Sequence, residues 1–363
     1  AAGGVTLKLH YNRPGGNYAD WSVWFWNYGQ EGKDIPFGIR TILYLRKRRY
    51  SCPCCGKRFF EDNSFLSRYR RATKRMILSV IESFRKLQPA SEIAAQFNIS
   101  TTTAIRYFDC VNYGAGTLPE VLSIDEFKGN SGGQKYQTIL TNPKDKKILD
   151  VLPNRFESDL IQHFRRLSER EKVKYFVTDM NPHFRNIARV CFPNATIIAD
   201  RYHVIRQAVW AMERVRKNEQ KRLSEHFRKY FKRSKYLLSK SKEKLNEEEM
   251  NRLALMFEIA PKLADAYRIK NEFVEIMRSP SSALGKPRLI DWLCSVEIMD
   301  LPEFYDCTKA CRNWFSEIIH SMDCPWTNGF TEGCNNKTKV LKRVCFGVRN
   351  FKRFRNRILH CAN

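Results

Sequence analysis

The sequence predicts an α/β fold whose layer of short strands is interrupted by an all-helical insertion and preceded by a helix-turn-helix. Three observations lead there. Between residues 119 and 200, short β-rich runs alternate with helical stretches. Residues 204 to 320 carry apolar residues at helical spacing with no strand signal, and residues 76 to 108 hold helical patterns around a turn. At 363 residues the chain has room for two or three domains and a sizeable core, at roughly 100 to 200 residues per domain. An apolar share of 43% and an aromatic share of 13% exclude a disordered or collagen-like chain.

Residues 1–60 form the first predicted domain. Residues 1–36, rich in Gly, Asn and aromatics, read as loop. From Ile39 to Phe60, "IRTILYLRKRRYSCPCCGKRFF" gives a β-rich run, a basic cluster and a Cys-x-x-Cys-Gly knuckle of Cys52 and Cys55. That spacing suits one half of a zinc ribbon, but a structural Zn²⁺ needs four ligands. Residues 1–51 offer no Cys and only His10, so the site is half absent, and surface thiols in a basic loop are the alternative.

Residues 61–115 form the predicted helix-turn-helix domain. Met76, Ile77, Val80, Ile81, Phe84 and Leu87 repeat at helical spacing, Pro89 stops that helix, and "SEIAAQFNISTTTAIRYF" follows from Ser91 to Phe108. Ser91 is read as the cap of one short helix, Asn98 as the turn, and Ser100 or Thr101 as the cap of a second. That second helix carries Thr101, Thr102, Thr103 and Arg106 outward, and with its basic flank it suits DNA better than a hairpin that only packs a core.

Residues 116–203 and 321–363 form the predicted α/β domain, split by the helical insertion at 204–320. "EVLSIDEF", "KYQTILTN" and "KKILDVLP" precede the first helical stretch with short loops, which predicts a meander. "VKYFVTDM" and "ATIIAD" then alternate with helices at Phe156 to Leu167 and Pro182 to Val190.

Lys plus Arg number 64 against 38 Asp plus Glu, a net charge of +26. A folded chain this basic wants a polyanion, with nucleic acid favoured over an anionic membrane. No apolar run reaches about 18 residues, so no spanning helix is expected. The scattered cysteines and the absence of a charged-then-apolar opening segment point to an intracellular protein. Residues 333–363 contain no Asp or Glu, yet they carry Lys337, Lys339, Lys342, Arg343, Arg349, Lys352, Arg353, Arg355 and Arg357. A merely solvated helix mixes signs, so this tail is predicted to lie along phosphates.

Asp125 and Asp179 each end an apolar strand, a place where sheets hold ligands and metals. Glu332 lies in the closing helix, with Lys339 two helical turns on. Three carboxylates with a nearby lysine suit metal-assisted phosphoryl transfer, in which two Mg²⁺ ions about 3.5–4 Å apart act on a DNA phosphodiester. Glu126 points to the opposite face from Asp125 and is left out. Asp200 ends a further strand with His203 three residues on. A brace for the site is favoured for this pair, with a contact to flanking DNA or a metal-ligand role as the alternatives. Trp326 is read as core packing in preference to base stacking.

"LSIDEF", "VTDM", "DRYHV" and "TNGFTEGCNNKTKVLKRVCFGVRNFKRFRNRI" resemble the catalytic core of bacterial DDE transposases of the ISL-three insertion-sequence family, over residues 37–363. The resemblance implies a ribonuclease-H-like catalytic domain, Asp125, Asp179 and Glu332 as its metal-binding triad, and the helical stretch as the insertion before the Glu. Lys339 matches the basic residue such enzymes place seven positions after it. It further implies Mg²⁺ or Mn²⁺ as cofactor, double-stranded DNA as partner through inverted repeats and target, a homo-oligomer on DNA, no membrane, and a bacterial cytoplasmic, nucleoid-associated location. The family opens with two Cys-x-x-Cys pairs; here "ADWSVWFWNYGQEG" stands where the first is expected. A frameshift or truncated start would account for that segment and for Ala1 in place of Met. Two other readings remain at this point: a DNA-binding regulator or decayed copy without catalysis, and a nuclease that cleaves without joining. Convergence of the three carboxylates separates enzyme from regulator.

Overall fold

The computed structural model describes residues 10–11, 22–25, 33–36, 41–42, 49–60, 72–114, 116–240, 242–299 and 301–362. Near the start, β1 (His10–Tyr11) pairs with β4 (Thr41–Ile42), and β2 (Ser22–Phe25) pairs with β3 (Lys33–Pro36), both antiparallel. The rest of residues 1–48, with most of the segment replacing the first cysteine pair, and residues 61–71 lie outside the described residues. By its internal contacts the chain divides into two compact units. One holds residues 1–115, 128–137 and 336–363; the other holds 116–127 and 138–335.

In the first unit, β5 (Arg49–Ser51) and β6 (Arg58–Phe60) form an antiparallel hairpin around the knuckle. Cys52 N–H donates to Lys57 O and Gly56 N–H donates to Cys52 O, each at 2.9 Å. Gly56 sits at φ +65°, which a side chain would strain. Three helices follow: α1 (Lys74–Ser83), α2 (Ala90–Gln96) and α3 (Thr101–Phe108). Their apolar faces close on Met76, Val80, Phe84, Ile93, Phe97 and Phe108. Asn98, at φ +52°, makes the turn between α2 and α3, and Ser100 caps α3 by accepting the Thr103 N–H at 3.1 Å. The expected Ser91 cap is not made, because α2 already begins at Ala90, behind Pro89.

The second unit is built on a mixed five-stranded sheet. Its strands are β7 (Val121–Phe127), β8 (Gln137–Asn142), β9 (Lys147–Leu152), β10 (Tyr175–Thr178) and β11 (Thr196–Ala199), in the order β11-β10-β7-β8-β9. β8 and β9 are antiparallel; β10 runs parallel to both β7 and β11. The meander followed by β-α-β units is thus the observed chain path. On one face, Leu122, Ile124, Leu140 and Phe176 pack beneath α4 (Glu157–Arg165) and α5 (Pro182–Cys191) through Leu160, Phe164, Phe184 and Ile187. On the other face Val121, Val177 and Ile198 form a smaller cluster with Cys324, against which Trp326 packs, in keeping with a core role for that ring.

After β11 the chain is helical: α6 (Arg201–Lys221), α7 (Glu225–Arg233), α8 (Lys235–Ser239), α9 (Glu247–Ile259), α10 (Pro261–Met277), α11 (Ser282–Ile298), α12 (Tyr305–Asn313) and α13 (Phe315–Asp323). They enclose a core of their own around Met212, Phe231, Phe273, Trp292 and Phe304. Buried Trp292 satisfies its indole N–H on Ile269 O at 3.0 Å. The chain ends with α14 (Gly329–Val344) and α15 (Phe351–Ala362).

Residues 336–363, grouped by sequence with the α/β domain, belong instead to the unit that holds α1–α3. The cause lies in α15. Buried Arg357 donates to the carbonyls of Phe84, Lys86 and Gln88, the last two at 2.9 and 2.7 Å, and its guanidinium lies 4.6 Å from the Phe84 ring centre. The Phe84 carbonyl lies at the C-cap of α1 and the other two in the loop beyond it, so a fork-shaped cation satisfies several at once. His360 bridges Ile81 O (2.8 Å) and the Tyr113 hydroxyl (2.6 Å), and Asn356 donates to Val111 O at 2.7 Å.

Candidate active site

Strand register assembles the site. Ser123 of β7 is paired with Val177 of β10, and Val177 with Ile198 of β11. Side chains alternate across a sheet, so the residues two further on are set on that same face: Asp179 and Asp200 directly after β10 and β11, and Asp125 inside β7, which continues to Phe127 instead of ending at the acid as the sequence suggested. Glu126, one residue on in β7, pairs with Arg155 at 2.7 Å.

Polar contacts seat the start of α14 on this face. Ser123 Oγ meets Asn328 Oδ1 at 2.5 Å and Thr331 Oγ1 at 2.7 Å, and Thr331 also meets Thr141 Oγ1 at 2.8 Å. All four residues are fully buried. The Asn328 N–H donates to Asp200 Oδ1 at 2.9 Å. Asn335, one turn after Glu332, donates its amide N–H to Asp125 Oδ2 at 2.8 Å, while Asp125 Oδ1 accepts the Glu126 N–H at the same distance.

Asp200 caps α6 and grips His203 Nδ1 at 2.8 Å. The opposite ring nitrogen, Nε2, lies 3.8 Å from Glu332 Oε1. Burial alone would raise the Asp200 carboxyl, but hydrogen bonds from His203 and the Asn328 N–H hold it below its usual range. Burial would likewise lower His203, and the Asp200 hydrogen bond overrides it to push the imidazole up. A histidine favoured in its charged form thus stands between one ionised acid and Glu332.

The remaining acids are under opposite stress. Burial, then the charge of Asp179, pushes Asp125 up to about 7, and Glu332 adds to the rise. Burial also raises Asp179, although His203 opposes it. Among the described residues no three His, Cys, Asp or Glu side chains are gathered tightly enough to hold a metal ion as they stand. The donor set nevertheless fits a hard divalent cation: carboxylate oxygens that repel one another, beside the buried Asn335 Oδ1, which has no hydrogen-bond partner.

The other candidate residues scatter. Thr101, Thr102 and Arg106 are exposed on α3, and Thr103 is half-buried with its hydroxyl on Ser100 at 2.9 Å. Lys339, Arg343, Arg349 and Lys352 are exposed and make no ion pair among the described residues. Lys337 donates to Cys361 O at 2.7 Å, and burial, with Lys128 nearby, lowers Lys342. Arg353 makes a two-pronged pair with Asp109, both contacts at 2.7 Å. Cys52 and Cys55 are free thiols, and hydrogen bonds from the Cys55 and Cys54 backbone lower Cys52 toward its thiolate. Sequence reasoning passed over Asn335, Thr331, Asn328 and Ser123; for the first three the string "TNGFTEGCNN" held the signal, as small polar residues at helical spacing around a candidate acid, whereas Ser123, in "LSIDEF", carried none.

Comparison with known proteins adds independent support. A family described as Transposase, of the DDE ISL-three type, matches residues 122–358. A transposase for insertion sequence element IS1001 from Bordetella parapertussis is 23% identical over 344 residues, covering 89% of this chain and 82% of that protein. A transposase for insertion sequence element IS1557 from Mycobacterium tuberculosis H37Rv is 22% identical over 241 residues, 60% of this chain and 54% of that protein.

Proposed function

The chain belongs to the DDE transposase family of the ISL-three type, and from that premise we propose that it binds the terminal inverted repeats of an insertion sequence and cleaves and joins DNA by two-metal phosphoryl transfer. The observation that best supports the reading is strand register, which sets Asp125, Asp179 and Asp200 on one face of the sheet, with His203, held by Asp200, 3.8 Å from Glu332. In this reading the sheet is a ribonuclease-H-like core, and the three carboxylates hold Mg²⁺ or Mn²⁺. Bound there, the cations supply Lewis-acid activation of a water or 3′-hydroxyl and neutralise charge at the attacked phosphate.

The chain's own residues do the rest. Asp200 orients His203, and charged His203 holds Glu332 toward the site. Asn335 and the Glu126 N–H fix both oxygens of Asp125. The α2–α3 pair is read as a helix-turn-helix that presents Thr101, Thr102, Thr103 and Arg106 to a major groove, and Lys337, Lys339, Lys342, Arg343, Arg349 and Lys352 are read as phosphate contacts. The protein is expected to act as a homo-oligomer on DNA, since two ends must be paired. Cys52 and Cys55, free thiols, are read as surface thiols of a basic loop, with half of a Zn²⁺ site as the alternative.

Strand cleavage and transfer on labelled DNA carrying the element's ends, with Mg²⁺ or with EDTA, tests this. The expected result is joined product with Mg²⁺ and none with EDTA or with Asp179→Ala. Cleavage without joining would replace the reading with a nuclease. Binding without any product would replace it with a regulator.

A further inference from the structure

The C-terminal half of α6 carries Arg214, Lys217, Asn218 and Lys221, spaced at i, i+3, i+4 and i+7 and therefore on one face. With Gln220, and Arg228 from α7, they line a cleft of about 320 Å³ in the helical insertion. Four of its six lining residues are cationic. The acids nearby are already engaged: Glu213 with Arg216 and Lys235, Glu219 with Arg222, Glu225 with Lys229, and Glu303 with Asn218 and Lys262. Arg214 is anchored on Glu303 O at 2.7 Å and lies 3.5 Å from Asp306. Lys217, Lys221 and Arg228 are exposed and make no ion pair among the described residues. A cation in the last turn answers the negative end of the helix macrodipole, which accounts for Lys221 and leaves the others unexplained.

We propose that this cleft is a second DNA-contact site, which holds the phosphate backbone of duplex DNA in the helical insertion independently of α3. The inference rests on the DNA-transposition reading. An open row of cations over seven residues of helix spans about 10.5 Å, and B-DNA offers a phosphate about every 3.4 Å along each strand. Such a row tracks a polyanion. A site for one small phosphate would instead enclose it with buried donors, whereas Lys217, Lys221 and Arg228 are all exposed. Asn218 is held by Glu303 and Gln220 by Arg216, so neither amide is free to read a base edge, and the contact proposed is with the phosphate backbone and independent of sequence.

The test is a salt titration of duplex DNA binding, with and without the element's ends. It compares the wild type, a Lys217→Ala/Lys221→Ala/Arg228→Ala variant and a charge-keeping Lys217→Arg/Lys221→Arg/Arg228→Lys variant. The alanine variant is expected to bind both DNAs at least roughly tenfold more weakly, with its log–log salt slope reduced by about two to three, while the charge-keeping variant matches the wild type. Amine acylation of the wild type gives a readout that needs no variant: duplex DNA should protect Lys217 and Lys221, and inorganic phosphate at the same phosphate concentration should not. An unchanged slope in the alanine variant, with a wild type that binds DNA, overturns this inference alone. Equal protection by inorganic phosphate reduces the cleft to a small-anion site and overturns it too. A wild type that binds neither DNA overturns the transposition reading along with it.

Discussion

Asp125 is buried and feels the charges of Asp179 and Glu332, so ionising it costs free energy that the unfolded chain does not incur. Its folded pKa is raised to about 7, so its contribution to stability is fully present below the unfolded value of about 3.9 and is lost as pH rises through 7. Asp125→Asn should therefore stabilise the metal-free protein at pH 8 by roughly 2–4 kcal/mol and give no gain at pH 4, as read by thermal melts in EDTA. In the proposed reading Asn335, which donates to Asp125, acts through it as a positioning residue. Asn335→Ala should slow strand transfer by about 10–100-fold with DNA affinity unchanged, which separates a turnover effect from a folding defect. Asp125 and Asp179 stood out in sequence as candidates because an acid in or directly after an apolar strand breaks its pattern, although β7 runs on past Asp125 to Phe127. Asn335 was not, since an asparagine in a polar helix has no signature until the face that docks on the sheet is known.

At the scale of elements, α15 shows how charge misleads when its partners are distant in sequence. Its arginines read as phosphate ligands, yet Arg357 is buried on the end of α1 and Arg353 pairs with Asp109. The apolar spacing of Phe354 and Ile358 was visible, but the carbonyls that Arg357 satisfies lie about 270 residues earlier. Arg357→Met should destabilise the protein by about 2–4 kcal/mol, because it leaves several carbonyls short of donors. Lys352→Met, on an exposed position, should change stability by less than about 0.5 kcal/mol; parallel urea melts compare the two. The strands and helices of the second unit were legible because local alternation and helical spacing determine them, whereas the grouping of residues 336–363 depends on tertiary contacts that no local pattern carries.

For the molecule as a whole, the topology brings residues scattered over more than two hundred positions to one sheet edge. Parallel register sets the three aspartates in line, and the start of α14, seated by Ser123, Thr141, Asn328 and Thr331, delivers Glu332 past His203. Net charge of +26 indicated a polyanionic partner from composition alone. The sheet order and the seating of α14 required coordinates, since strand adjacency is not written in any one segment. The central claim is that Asp125, Asp179 and Glu332 act together as the ligands of one divalent-metal centre that serves two-metal phosphoryl transfer. The most direct measurement is Mn²⁺ binding by calorimetry to the wild type and to Asp125→Asn, Asp179→Asn and Glu332→Gln, each also assayed for strand transfer. The account predicts that every single variant loses at least roughly tenfold in Mn²⁺ affinity together with its strand-transfer activity. A Glu332→Gln protein that binds Mn²⁺ as tightly as the wild type and still joins DNA would contradict it.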